Sequence, residues 1–257
     1  MFIGITNGLA GGFAPRLVAH QSQVYRVPPE LSSEAAALTE PLAVALQTLY
    51  DNRPTDTDKI LIIGGGVIGN LIVQTAKVLA PHCRIAVIEP AAHAAQLAQR
   101  HGADDLFATT GVFAKTAQVT GARIYKPMLG MEIPMGGFDR VYDTVASAAT
   151  LNMALRVLTT MGTLSIVGIG GDVKLDLTPL WLKLQTVKGV YAYGAVSQNG
   201  ATRHMFEIAL ELMALNRIDT ASLVSHKFAL TDYKKMLAVN VNKNKYQAIK
   251  TLVAFKT

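Results

Sequence analysis

From about residue 58 to residue 194, short aliphatic runs alternate with stretches of helical period. KILIIG (59–64), RIAVIE (84–89), DLFA (105–108), FDRVYD (138–143), TLSIVGI (163–169) and TVKGVYAY (186–193) read as six strands. Most are near-continuous apolar runs, as expected of strands covered on both faces. Between them, 67–80 reads as a helix closed by Pro81. An alanine-rich helix over 91–101 stops at Gly102, and 151–158 places Leu151, Leu155 and Leu158 on one face. Helices in these places supply the crossovers that parallel strands require. The order predicts an α/β fold around a doubly wound, parallel, six-stranded sheet. Segment 109–137 is long for a connection, its part KPMLGMEIPMGG is loop-like, and its pattern assigns it no task.

The flanks follow another pattern. Residues 16–28 alternate loosely and run into Pro28-Pro29, and 33–50 reads as helical despite Pro41. Residues 201–216 predict an amphipathic helix with Met205, Ile208, Leu212 and Leu215 inward. A strand over 223–230, a short helix N-capped by Thr231 and a strand over 248–255 end the chain. Both ends thus carry β structure that the central sheet does not explain. The expected organisation is 1–50, then 51–195 holding the sheet, then 196–257.

Composition narrows the classes. Half of the 257 residues are hydrophobic and 16% are charged, enough for a large core and contrary to disorder. Eighteen uninterrupted apolar residues occur nowhere, so no membrane span is expected, and the first residues lack the basic start and apolar run of a secretory signal. Cys83 is the sole cysteine, which leaves no internal disulfide or multi-cysteine zinc site and points to the cytoplasm. The net charge of +6 gathers late, on Lys227, Lys234, Lys235, Lys243, Lys245, Lys250 and Lys256. No aromatic residues interleave with them as stacking platforms, so they read as a solvated face and no nucleic-acid partner is expected.

Chemistry concentrates at Gly64-Gly65-Gly66-Val67-Ile68-Gly69. The run follows a predicted strand and opens a predicted helix. Gly64 permits a tight turn, Gly66 lets backbone approach a pyrophosphate, and Gly69 allows close helix-to-sheet packing. The helix start, with Val67 and Ile68, offers unpaired N–H groups and a positive dipole end to phosphate. Glu89 stands twenty residues past Gly69 at a strand end. A carboxylate there accepts hydrogen bonds from ribose hydroxyls and repels a 2′-phosphate, favouring NAD over NADP. Val145 and Ala146, and Val167, Gly168 and Ile169, end two further strands, where ligands bind in open α/β sheets. The six histidines show no metal-pair spacing on a helix face; His226 reads as a packed or edge residue and Trp181 as packing beside the sixth strand.

Taken together, these pieces resemble the medium-chain dehydrogenase/reductase superfamily, that of the zinc-dependent alcohol, polyol and threonine dehydrogenases. In the family's order stand GGFA (11–14), LTEPLAVAL (38–46), IIGGGVIG (62–69), the Glu89 strand end, GGFDRVYDTVASAATL (136–151), MGTLSIVGIGG (161–171), QTVKGVYAYG (185–194) and SHKFAL (225–230). The resemblance implies hydride transfer between a small alcohol or carbonyl compound and NAD. It implies remnants of a GroES-like β-domain at both termini, and Glu40 as a ligand position beside a catalytic zinc. The family's zinc-binding cysteine and histidine lie in a segment before GGFA that has no counterpart here. Zinc is therefore expected only if other ligands supply it, and the enzyme only when a further segment or partner chain completes it. A catalytically silent NAD-binding module and a zinc-free quinone or enoyl reductase are the alternatives; no catalytic residue is assigned. Pairing of copies through a sheet edge at 190–194 is expected.

Overall fold

A computed structural model describes residues 11–126, 128, 130, 132–198 and 200–255. Helix α1 (Ser33–Ala36) is capped by Ser32, whose Oγ accepts from the Ala35 N–H at 3.1 Å. Helix α2 (Thr39–Asp51) accommodates Pro41 because its first turn has no intrahelical acceptor for that N–H. Residues 16–28, read as loosely alternating, hold only a 3-10 turn at Gln21–Gln23.

The sheet is built from β1 (Lys59–Ile63), α3 (Val67–Leu79), β2 (Arg84–Ile88), α4 (Ala92–Arg100) and β3 (Asp105–Phe107). Next come α5 (Val112–Thr120), the antiparallel hairpin β4 (Arg123–Tyr125) and β5 (Ile133–Met135), then β6 (Phe138–Asp143), α6 (Ala148–Val157), β7 (Leu158–Ile166), α7 (Thr178–Leu182) and β8 (Thr186–Gly189). The sheet order is β3-β2-β1-β6-β7-β8, every pair parallel. The order reverses between β1 and β6, which opens a crevice at their carboxyl ends. Leu61, Ile63, Ala86, Ile88 and Val141 form one core with Val112, Val119, Leu151 and Leu155 of α5 and α6. Ile60, Ile62, Ile85 and Val87 on the other face are buried too. Burial on both sides is why these strands read as unbroken aliphatic runs.

Several boundaries differ from expectation. Segment 109–137 holds α5, stopped at either end by left-handed Gly111 and Gly121, and then the hairpin. Strand β7 starts at Leu158, not 163, and β8 stops at Gly189, with Ala192 in the left-handed region beyond it. The edge strand is therefore Thr186–Gly189 and not 190–194. Residues 201–204, expected as helix, form β10 (Ala201–His204) against β9 (Ala195–Gln198). Trp181 is 77% exposed and does not pack beside the sixth strand.

Lys183, just after α7, is wholly buried. Its Nζ donates to the Arg156 carbonyl at 2.6 Å and the Leu158 carbonyl at 2.8 Å, while Gln185 Nε2 donates to Leu155 and Leu158. These two side chains satisfy the carbonyls left open where α6 runs directly into β7.

Contacts divide the chain into two compact units, Glu40–Met205 and one built from both chain ends. The latter contains α8 (Met205–Ala214) from Phe206 onward, β11 (Val224–Ala229), α9 (Tyr233–Val241), α10 (Lys243–Tyr246) and β12 (Lys250–Ala254), with β11 and β12 paired in parallel. In α8, Met205 and Ile208 are buried but Leu215, just past its end, is exposed. Asp232, not Thr231, holds the N-cap position of α9, without a side-chain cap bond. His226 stacks on Phe228 along β11.

Candidate cofactor site

Strand β1 delivers the chain to Gly64, whose φ of +96° suits glycine and whose N–H donates to the Ile88 carbonyl at 2.9 Å. Gly66 is the N-cap of α3 and offers no side-chain cap. It is exposed, and a Cβ built on it meets nothing within 4 Å. The first intrahelical bond runs from the Asn70 N–H to the Gly66 carbonyl at 3.0 Å. The N–H groups of Val67, Ile68 and Gly69 thus precede any intrahelical acceptor, behind the open approach at Gly66. Val67 and Ile68 are half-buried. A Cβ on Gly69 would lie 1.8 Å from the Gly64 carbonyl oxygen, so the turn closes on the helix only with glycine there.

Glu89 follows β2 and is half-buried. Its Oε2 accepts from the Gly65 N–H and its Oε1 from the Ala91 N–H, each at 2.7 Å. A carboxylate has about four acceptor positions. Two are taken by these N–H groups.

At the end of β6, Asp143 is wholly buried, and its Oδ1 accepts from the Val145 N–H at 2.9 Å and the Ala146 N–H at 3.0 Å. This grip holds Ala146 at φ +58°, an uncommon conformation for a residue with a Cβ. Thr144 Oγ1 donates to the Ile63 carbonyl at 2.8 Å, which ties this turn to β1. The Val167 and Gly168 N–H groups both donate to the Asp143 carbonyl, at 2.9 and 3.0 Å. A Cβ on Gly168 would lie 2.7 Å from the Val145 carbonyl carbon. The two strand ends therefore meet beside Gly64, with Val145 and Ile169 exposed. Asp143 and Thr144, which hold this arrangement, carry no motif that would single them out in the sequence.

A cavity of about 530 Å³ is lined by Ile88, Thr109, Val112, Phe113, Thr150 and Met153 among others. It lies between the first turns of α5 and α6, and Ile88 immediately precedes Glu89. Sequence reading missed it because α5 was hidden in the unassigned segment; the one available signal was the Thr109–Gly111 stretch after a strand.

Glu40 behaves differently. It is exposed in the first turn of α2, while Leu42, Ala43, Ala45 and Leu46 are buried. Among the described residues no group of three or more His, Cys, Asp or Glu is placed to hold a metal ion. These residues alone do not fit a zinc site, which takes at least three protein ligands. The Cys83 thiol is buried, which pushes its pKa up to about 11 and keeps it from acting as a thiolate. No helix among the described residues is long and apolar enough to cross a membrane.

Fold and topology together define a protein of the doubly wound α/β class. A family model described as zinc-binding dehydrogenase matches residues 67–214, and the chain belongs to that family. It is 27% identical over 234 residues to the D-arabitol-phosphate dehydrogenase of Enterococcus avium, covering 90% of this chain and 61% of that protein. It is 29% identical over 234 residues to the (R,R)-butanediol dehydrogenase of Bacillus subtilis, covering 90% and 60%. The crystal structure of the 2R,3R-butanediol dehydrogenase from Bacillus subtilis superimposes with a TM-score of 0.78 at 25% identity, over 96% of this chain and 65% of that one. A short chain alcohol dehydrogenase from Escherichia coli CFT073, solved with NADH, shares the fold at a TM-score of 0.78 and 17% identity, over 96% and 67%. The chain thus spans about three-fifths of the curated relatives it matches.

Proposed function

We propose that this chain binds NAD across the carboxyl edge of its sheet and serves hydride transfer between a small alcohol or carbonyl compound and the nicotinamide. The open N-terminus of α3, with Glu89 anchored beside it, carries the reading. The N–H groups of Val67, Ile68 and Gly69 and the dipole of α3 receive the diphosphate. The Glu89 carboxylate accepts from the adenosine ribose hydroxyls. The apolar cavity beside Ile88 takes the adenine. The nicotinamide lies against Val145, Ala146 and the Val167–Ile169 turn, which fixes the face that exchanges hydride. NAD supplies the hydride chemistry; the chain binds, orients and shields it from water. The groups that activate the alcohol, and any zinc with its ligands, come from residues beyond these, on a further segment or a partner chain. Cys83, single and buried, suits a reducing compartment, and we place the protein in the cytoplasm.

Titration with NADH and NADPH tests this. A hydrogen bond to a carboxylate contributes about 1.5–3 kcal/mol, or roughly ten- to a hundredfold in affinity. NADH should bind at least tenfold more tightly than NADPH, and Glu89→Ala should collapse that ratio towards one. Equal affinities in the unsubstituted chain refute the choice of NAD. NADH binding with no alcohol turnover after zinc and partner are added supports instead a cofactor-binding module without catalysis.

Among the described residues, no strand pairs with the outer edge of β8, and Trp181, Leu184, Val187 and Tyr191 are exposed along or near it. An apolar edge of this kind is a liability until covered. A second copy pairing antiparallel about a two-fold axis would cover it. Sedimentation should report a dimer that Val187→Pro, which removes a ladder N–H, converts to monomer; a monomeric unsubstituted chain refutes the pairing.

A further inference from the structure

Asn70 is wholly buried in the first turn of α3. Its Nδ2 donates to the Gly65 carbonyl at 2.6 Å and to the Gly66 carbonyl at 3.2 Å. Carbonyl oxygens only accept, so the amide NH₂ faces the turn and Oδ1 faces the other way. There it meets His101 Nδ1 at 2.8 Å, which must carry a proton. His101 sits at the C-cap of α4, a different helix. A side chain of α3 thus grips the glycine turn and is itself held from α4.

The grip has a directional consequence. A trans peptide is planar, and its C=O and N–H point in opposite directions. Pinning the Gly65 carbonyl towards buried Asn70 turns the Gly66 N–H away from the helix, towards the open front of the turn. Holding the Gly66 carbonyl does the same for the Val67 N–H. Glycines at 65 and 66 do not restrict these peptide planes by themselves. We infer that Asn70 and His101 form a positioning pair that aims the Gly66 and Val67 N–H groups at the cofactor diphosphate. The inference rests on the NAD reading above and assigns this role to two residues outside the glycine motif. Neither touches the cofactor.

Fluorescence titration of the full chain with NADH and NADPH tests it. Asn70→Ala should weaken both dinucleotides by the same factor, about tenfold, because the diphosphate is common to them. The NADH-to-NADPH ratio set by Glu89 should stay unchanged. His101→Leu, which leaves Asn70 in place but frees its Oδ1, should weaken both several-fold. His101→Gln, whose amide N–H can replace the ring donor, should restore most of the loss. Asn70→Ala combined with His101→Leu should be no weaker than Asn70→Ala alone, since one acts through the other. Unchanged NADH affinity in Asn70→Ala, or a His101→Gln variant as weak as His101→Leu, overturns the pair. A ratio that collapses along with the affinity assigns the loss to general disruption and also overturns it. An unsubstituted chain that binds no dinucleotide overturns the cofactor reading itself, a result distinct from all of these.

Discussion

Replacing Gly69 with alanine should abolish NADH binding, by at least a hundredfold, and destabilise the chain by about 3 kcal/mol. The new methyl group would stand 1.8 Å from the Gly64 carbonyl oxygen and 2.9 Å from its carbon. Contacts that short cannot be absorbed by a rotamer, because both partners are backbone. Relief requires moving α3 away from β1 or reshaping the turn at Gly64. The first loosens the packing of a helix buried from Gly69 to Ala76. The second redirects the N–H groups on which phosphate binding depends. Overpacking typically costs about 1–3 kcal/mol, and an immovable backbone partner places this case at the upper end. Gly66→Ala is the matching control. Its Cβ meets nothing within 4 Å and its φ is −70°, so stability should hold while affinity falls through obstruction of the approach. Urea midpoints and NADH titrations on both variants separate the two effects. Equal stability loss in both would refute this division of roles.

The sheet was legible because burial on both faces writes itself as aliphatic runs, and the glycine turn because steric limits leave few residues to choose from. What surrounds them was written less plainly. Asp143 and Asn70 each hold a turn of the site through two polar contacts, and a lone buried Asp or Asn has no periodicity to betray it. The hairpin over 123–135 and the strand at 201–204 are short, partly exposed and poor in apolar alternation, so they read as loop and helix. Residues 16–28 show the reverse error: loose alternation predicts β structure, yet among the described residues no strand pairs with them. Glu40 stands in an apolar stretch and the resemblance made it a zinc-ligand position, yet its apolar neighbours occupy the other faces of α2 and leave the acid exposed. A stretch of sequence reports the mean burial of a helix, while a side chain's exposure depends on its angle around the axis.

Stability should rise with pH between about 8 and 10.5, and Lys183 should be the reason. Burial lowers its pKa from 10.5 to about 8. In the unfolded chain the amine keeps its proton until near 10.5, so in this window the unfolded state binds one more proton than the folded state. By linkage, unfolding free energy then increases with pH. Below pH 8 both states are protonated and the buried ammonium lies at full cost, with the neutral Arg156 and Leu158 carbonyls as its acceptors. Above 10.5 both are neutral and the gain levels off. A shift of this size corresponds to about 3 kcal/mol. Other lysines and tyrosines titrate in the same range, so the test is a difference: urea unfolding at pH 7 and pH 10 for the unsubstituted chain and for Lys183→Met. Methionine has similar reach and no charge. The unsubstituted chain should gain about 2 kcal/mol over the variant between the two pH values. Parallel pH dependence in the two proteins would show that the Lys183 ammonium is solvated in the folded state and that the closure of α6 onto β7 does not depend on its protonation.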